Sequence, residues 1–198
     1  AAEIFAAGRA VLAHSTLACG ILQNVIWNLT LTPALTLGAA LLVRKELGAG
    51  PEWLGYVLAA YGVGNVSSNL VLTRLHPSAT GVVMHAGGLI AALGWLAFAF
   101  THSPIALLGV TTLAAVGGPM ADLMLLRMIQ GDFGPEWVGR VYSFRFTLSR
   151  SAGALGLALA PFIYKGLGTR GAIAAGGCIL GGYASMRLIM EWRRPSRT

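Results

Sequence analysis

The sequence predicts an all-α integral membrane protein whose six transmembrane helices form two inverted three-helix repeats. Hydrophobic residues make up 56% of the chain and charged residues only 11%, whereas soluble domains carry about 25% charged residues. The mean hydropathy is +0.70, and apolar segments recur that reach the ~20 residues a membrane-spanning helix needs. The phrase Gly-Pro-Glu-Trp occurs twice, at Gly50–Trp53 and Gly134–Trp137, and each copy opens an apolar segment.

Each copy of this phrase has the features of a helix start. Proline is tolerated at the first helical position, where its missing N–H would be unpaired in any case. A glutamate in the first turn suits the positive end of the helix dipole, and tryptophan suits a membrane–water interface. Two interpretations stay open at this point: a structural repeat, or two unrelated helix starts that have similar residues by chance.

The chain divides into three regions. Residues 1–14 predict an interfacial linker helix, because their apolar and charged residues suit a membrane surface. Residues 15–191 form the predicted six-helix bundle, and residues 192–198 form a basic cytoplasmic tail. The six spans are expected at about residues 16–43, 53–73, 79–100, 104–127, 138–164 and 171–191. Gly117-Gly118-Pro119 is expected to break the fourth span, and Lys165 to Arg170 to form a short turn between the last two.

The first span is polar for a segment in lipid. Asn24, Asn28 and Thr32 are spaced by four residues and therefore share one helix face. Trp27 lies mid-span, away from an interface, and Pro33 predicts a kink. The polar face either lines a wet cavity or supplies hydrogen bonds between helices.

The remaining spans differ in polarity. In the second span Tyr61, Asn65 and Asn69 again repeat at four residues, which predicts a second polar face. The third span is nearly all apolar, and we interpret its His85 as a packing residue that has a hydrogen-bond partner. Ser149 belongs to a series of small residues in the fifth span, a pattern that lets helices approach closely.

Charged residues inside spans are the sharpest local signal. An ionisable residue at the bilayer centre costs about 2.5–3.5 kcal/mol or more, so Asp122, Arg145 and Arg150 are expected to pair or to face a cavity. Arg127 and Arg140 flank them at the inner helix ends and complete the predicted charge-pair or gating group. The alternative is a static ion pair, or side chains that extend to the interface.

Asp122 and Arg145 are expected to pair with each other. At ~1.5 Å per residue, both lie roughly 8–12 Å from the inner ends of their helices, because Asp122 precedes Arg127 by five residues and Arg145 follows Trp137 by eight. Adjacent helices joined by a short loop can place these side chains face to face.

Several function classes find no support in the sequence. It predicts no catalytic residue, no metal site and no cofactor, and Cys19 and Cys178 lie in apolar runs without ligand or disulfide spacing. The formal net charge is +7, but aromatic residues do not interleave with a basic patch, so nucleic acid is not an expected partner. No cleavable signal is visible. The chain begins with Ala1, and we expect a fragment or a processed product.

Basic residues predict the orientation. Six spans place both termini on one side, and the more basic side faces the cytoplasm. Seven basic residues fall on the side of the termini and four on the other, which favours cytoplasmic termini, with a bacterial inner membrane as the expected location. The seven are Arg9, Arg74, Arg127, Arg140, Arg193, Arg194 and Arg197, and the four are Arg44, Lys45, Lys165 and Arg170.

Two local phrases carry a family resemblance. Residues 46–64, ELGAGPEWLGYVLAAYGVG, are similar to the turn and eighth helix of multidrug and siderophore exporters of the major facilitator superfamily. Residues 133–145, FGPEWVGRVYSFR, are similar to their inner loop and the start of their eleventh helix. The resemblance covers essentially the whole chain as the C-terminal half of such a transporter. The inner loop after the second span, LTRLHPSATG, lacks the acidic and paired basic residues of the family signature.

The resemblance implies a secondary transporter that exports small amphipathic molecules by alternating access. It implies a proton or another coupling ion, a lipid bilayer, and an N-terminal six-helix half or a second copy as partners. In the family, helices matching spans one, two, four and five line the cavity, which agrees with the positions of the asparagines and of Asp122. The alternative is a non-transporting membrane subunit or assembly factor. An intramembrane serine protease is disfavoured, because Ser151 lacks a suitable turn and a neighbouring histidine.

Overall fold

The computed structural model describes residues 2–74 and 79–193, and these residues form helices without strands. Four helical stretches in this part are long and apolar enough to cross a membrane: Ser15–Glu46, Thr80–Phe100, Pro104–Asp132 and Pro135–Trp192. The prediction of an all-helical fold is therefore confirmed for the described residues, and these four helices have the length and composition of membrane spans. The elements are α1 Ala2–Ala13, α2 Ser15–Pro33, a π-helical turn Ala34–Gly38, α3 Ala39–Leu41, a second π-helical turn Leu42–Glu46, α4 Glu52–Arg74, α5 Thr80–Phe100, α6 Pro104–Asp132 and α7 Pro135–Trp192.

The last helix, α7, has 58 residues and bends sharply at one of them. Gly168 has φ 70° and ψ 173°, outside the helical region, and only glycine takes such a positive φ without steric cost. The turn predicted over residues 165–170 is thus reduced to a single residue. Below, residues 135–167 are called the first arm of α7 and residues 169–192 the second arm.

Arg170 fixes the position of this bend. Its Nη1 donates to the carbonyls of Ala99 at 2.7 Å and Thr101 at 2.9 Å, where α5 ends. Its Nε lies 3.5 Å from a carboxylate oxygen of Glu46. The predicted turn arginine therefore satisfies helix-end carbonyls, which have no partner within their own helix.

The helix starts were predicted correctly, whereas one predicted break was wrong. The two Gly-Pro-Glu-Trp phrases begin α4 at Glu52 and α7 at Pro135, and Pro33 is followed directly by a π-helical turn. A break at Gly117–Pro119 was expected, but α6 continues through Pro119 to Asp132. Neighbouring helices can satisfy backbone groups near a proline, and Ser68 of α4 donates to the Val116 carbonyl at 2.8 Å.

The N-terminal region is a helix, as predicted, but it is docked on the bundle. In α1, Ala7 is 0% and Val11 is 3% exposed, and Gly8 faces the ring of Phe144 in the first arm of α7. Arg9 and Leu12 remain exposed. Residues 194–198 of the predicted tail, and residues 75–78 of the loop after α4, lie outside the described part of the chain.

Glycines set the close contacts between the helices. A Cβ on Gly94 of α5 would lie 2.5 Å from the Cβ of Ala114 in α6. Nearby, a Cβ on Gly87 would lie 2.6 Å from the Gly117 carbonyl oxygen, so the two backbones touch. Gly156 of α7 meets the backbone of Leu29 in α2 in the same way. This packing follows from the small-residue pattern of membrane helices.

We expect Gly94→Ala to destabilise the protein by about 1–3 kcal/mol, because the added methyl overpacks the contact between α5 and α6. Gly62→Ala is the matched control, since nothing lies within 4 Å of a Cβ at Gly62. The control should be neutral or stabilising by up to about 1 kcal/mol, as for glycine replaced in a helix interior. Thermal unfolding in detergent measures both, and equal shifts would contradict the close approach at Gly94.

Candidate functional site

Polar side chains from α2, α4, α6 and the first arm of α7 converge on two adjoining cavities in the described part of the chain. Their volumes are about 370 Å³ and about 270 Å³, and Asn24, Asn28, Asn69 and Asp122 line both. The asparagines that share a face of α2 therefore point into a cavity. Their spacing of four residues was compatible either with a cavity lining or with hydrogen bonds that only join helices.

Asp122 of α6 is the centre of a polar network. It accepts a hydrogen bond from Asn24 Nδ2 at 2.9 Å, and Arg145 Nη2 donates to the same carboxylate oxygen. The ion pair predicted between Asp122 and Arg145 is therefore present. Asn24 Oδ1 in turn accepts from Ser149 Oγ at 2.5 Å. The network joins α2, α6 and the first arm of α7.

The two ends of the ion pair are buried unequally. The Arg145 side chain is 10% exposed, whereas the Asp122 side chain is 56% exposed and opens to the cavity. The guanidinium is thus a fixed positive charge inside the bundle. The carboxylate is open to water, to a cation or to a proton.

One face of α7 forms the wall opposite Asp122. Tyr142, Arg145, Phe146, Ser149 and Arg150 all line the larger cavity, and their spacing is that of a single helix face. The two aromatic rings stack at 6.4 Å with an interplanar angle of 18°. Each arginine lies over one ring, Arg145 at 5.7 Å from the Tyr142 centroid and Arg150 at 4.9 Å from the Phe146 centroid. These distances are typical of cation–π contacts.

The smaller cavity contains the remaining predicted polar residues of α4. Trp27, Tyr61 and Asn65 line it, and Trp27 packs against Gly118, where a Cβ would lie 3.5 Å from the indole. The amide of Asn65 donates to the Tyr61 carbonyl at 2.9 Å, and that of Asn69 donates to the Asn65 carbonyl at 3.0 Å. Each bond uses one of the two Nδ2 hydrogens of its amide, and the amide oxygens are acceptors for a cavity ligand.

Three predicted site residues lie away from the cavities. Thr32 faces the contact between α2 and α7, and a Cβ on Gly153 would lie 3.6 Å from its hydroxyl. Arg127 donates to the Leu72 carbonyl at 3.1 Å and so secures the end of α4. Arg140 is exposed near the start of α7, 5.5 Å from the Trp137 ring.

Sequence reasoning missed part of the cavity wall. Tyr142 and Phe146 share a helix face with Arg145 and Ser149, so their spacing was a usable signal. The other missed lining residues have only apolar or backbone character and gave none. They are Leu123, Leu126, Gly118, Pro119 and Ala121.

Gln23 links the smaller cavity to α5. It lines that cavity, its Nε2 donates to the Met84 carbonyl at 3.0 Å, and its Oε1 lies 2.6 Å from His85 Nδ1. Because the Gln23 oxygen can only accept, His85 Nδ1 carries the proton in this contact. His85 is 0% exposed, which confirms the interpretation of a packing histidine with a hydrogen-bond partner.

Comparisons of this chain with protein-family models, with curated proteins and with solved structures found no match.

We expect Asp122→Asn and Arg145→Gln each to lower stability. Asp122→Asn leaves the buried Arg145 charge uncompensated, and Arg145→Gln removes the counter-charge and a hydrogen bond from Asp122. The double variant should recover part of the loss, with a coupling energy of about 0.5–3 kcal/mol. Thermal unfolding of the four proteins in detergent gives the double-mutant cycle.

Asp132→Asn is the control for loss of an acidic charge, since Asp132 is exposed at the end of the same helix. It should change stability by less than about 0.5 kcal/mol, as surface substitutions usually do. Strictly additive losses at Asp122 and Arg145 would show that the two residues do not interact and would make Arg150 the alternative partner of Asp122.

Proposed function

We propose that this chain is a secondary transporter of the major facilitator type, or the C-terminal half of one, which exports small amphipathic molecules by alternating access. The observation that carries the proposal is the polar cavity lined from α2, α4, α6 and the first arm of α7. Polar and charged groups in membrane helices are costly, and they mark substrate or ion pathways.

Six spans in two inverted repeats belong to this proposal. The bend at Gly168 supports the count, because each arm of α7 exceeds the ~20 residues of one span. The stretch Glu52–Arg74 has 23 residues and is the remaining span, although it is not among the four most apolar helices. Its cavity-facing asparagines account for the lower hydropathy. The paired helix starts at Glu52 and Pro135 support an inverted repeat.

The same proposal assigns a coupling ion to Asp122. Among the described residues that line the cavities, Asp122 is the one with a carboxylate. Its exposure lets a proton or a cation reach it. Arg145 and Asn24 hold it in place, so a change of charge at this carboxylate would act on α2, α6 and α7 together. Membrane pumps and transporters commonly use intramembrane carboxylates for this purpose.

Cysteine accessibility tests the cavity and the transport cycle. We expect cysteines replacing Asn24, Asn28, Tyr61 or Asn65 to react with membrane-impermeant thiol reagents, in a background lacking Cys19 and Cys178. In the full transporter, with the N-terminal half present if this chain is a fragment, the Asn28→Cys site should be reachable from either side of a proteoliposome. Labelling is measured by mass shift after one-sided addition of the reagent.

Leu89→Cys and Ile179→Cys are the controls. Ile179 is 56% exposed on the second arm of α7, as open as the Asp122 side chain, yet in a membrane it should meet lipid and stay unreactive. Equal protection at all six sites would favour polar residues that only join helices. Access to the Asn28→Cys site from one side alone would favour the non-transporting subunit.

Single-cysteine labelling in intact cells tests the topology. With both termini cytoplasmic, Gly48→Cys and Gly168→Cys should label from outside, whereas Gly131→Cys should label only after the membrane is permeabilised. Pro77→Cys, which lies outside the described residues, is expected to behave like Gly131→Cys. Reversal at two of these sites would overturn both the orientation and the inverted repeat.

A further inference from the structure

The charges that line the cavity do not cancel. Among the described residues, Asp122, Arg145 and Arg150 are the charged groups that line the two cavities. Asp122 and Arg145 form an ion pair, while no carboxylate in the described part lies within ion-pair distance of Arg150. The lining therefore carries one net positive charge.

Arg150 stands beside an open aromatic surface. Its guanidinium lies 4.9 Å from the Phe146 ring centroid, and Phe146 stacks on Tyr142. Phe146 is 48% and Tyr142 is 41% exposed, so both rings present area to a ligand in the cavity. Asn28 and Asn69 lie across the same cavity and add amide groups.

We propose that this site takes an amphipathic organic monoanion. Its acidic group, a carboxylate, sulfonate or phosphate ester, binds Arg150, and a flat apolar body packs on Phe146 and Tyr142. Arginine presents a planar fork of donors that matches such acids, and aromatic faces favour flat partners. An organic cation would be repelled by the net positive charge of the lining. The inference rests on the proposed function, because it names the substrate class of the same cavity.

An anionic lipid headgroup shares this chemistry with a soluble organic acid. Both offer an acidic oxygen group next to an apolar body, and the bilayer supplies the lipid at high local concentration. The experiment therefore needs an arm without anionic lipid and an arm with it.

Naphthalene-2-sulfonate is the probe, with 2-naphthalenemethanol and 2-naphthylmethylammonium as neutral and cationic analogues of similar size. Calorimetric titration of the full 198-residue chain in phosphatidylcholine nanodiscs, with empty nanodiscs as blank, gives the affinities. We expect the sulfonate to bind at least about tenfold more tightly than either analogue, as for a hydrogen-bonded charge pair.

Arg150→Gln should reduce sulfonate affinity at least about tenfold, and Arg150→Lys should retain part of it. Arg193→Gln, which removes an exposed arginine outside the cavity, should leave it unchanged. An unchanged melting temperature of Arg150→Gln would show that the variant is folded. If it unfolds, the comparison of Arg150→Lys with the wild type and the ranking of the three probes decide the matter.

The lipid arm replaces part of the phosphatidylcholine with phosphatidylglycerol. Weaker sulfonate binding to the wild type in these nanodiscs than in phosphatidylcholine, each corrected by its empty-nanodisc blank, would assign the anion site to a lipid headgroup as well. Equal affinities for the three probes, or an Arg150→Gln affinity equal to wild type, would overturn the inference. Absence of sulfonate binding in phosphatidylcholine nanodiscs would overturn it too. Arg150-dependent binding without two-sided access at the Asn28→Cys site would instead leave the inference standing and contradict transport.

Discussion

The ion pair between Asp122 and Arg145 constrains the rest of the bundle. Two charges placed in a membrane helix bundle need good geometry and further hydrogen bonds to offset their desolvation. Asn24 supplies one such bond to the carboxylate, and Ser149 fixes Asn24 in turn. The cost of exposing Arg145 to lipid therefore holds α2, α6 and the first arm of α7 in one relative position.

This position depends on backbone contacts that only small residues allow. Gly156 sets the first arm of α7 directly on the backbone of Leu29 in α2, one face away from Asn24 and Asn28. At the back of the bundle, Gly87 and Gly117 bring α5 against α6. Larger residues at these points would separate the helices by more than a hydrogen bond tolerates, so packing at the glycines and polarity at the cavity depend on each other.

Features that depend on local chemistry were predictable from the sequence. The Gly-Pro pairs predicted the two helix starts, and the spacing of four residues predicted the shared face of Asn24 and Asn28. The distance along each helix predicted that Asp122 and Arg145 lie at similar depth. Features that depend on contacts with neighbouring helices could not be predicted in this way. Spacing places Thr32 on the same face of α2 as Asn24 and Asn28. It does not show that α7 packs against α2 at Thr32, where Gly153 lies next to the hydroxyl. The sequence likewise did not show that α6 continues through Pro119, close to which Ser68 of α4 donates to the Val116 carbonyl.

Unequal burial separates the interpretations that the sequence left open for these charges. Arg145 cannot be extending to the interface, because its side chain is 10% exposed and directed at Asp122. A purely static pair would enclose both ends, since any open end lets water weaken the attraction. Asp122 is instead 56% exposed, while a neutral donor, Asn24, and a positive donor, Arg145, hold it in place. Asp122 is thus held by Asn24 and Arg145 on one side and open to the cavity on the other, which a static pair buried between helices would not be.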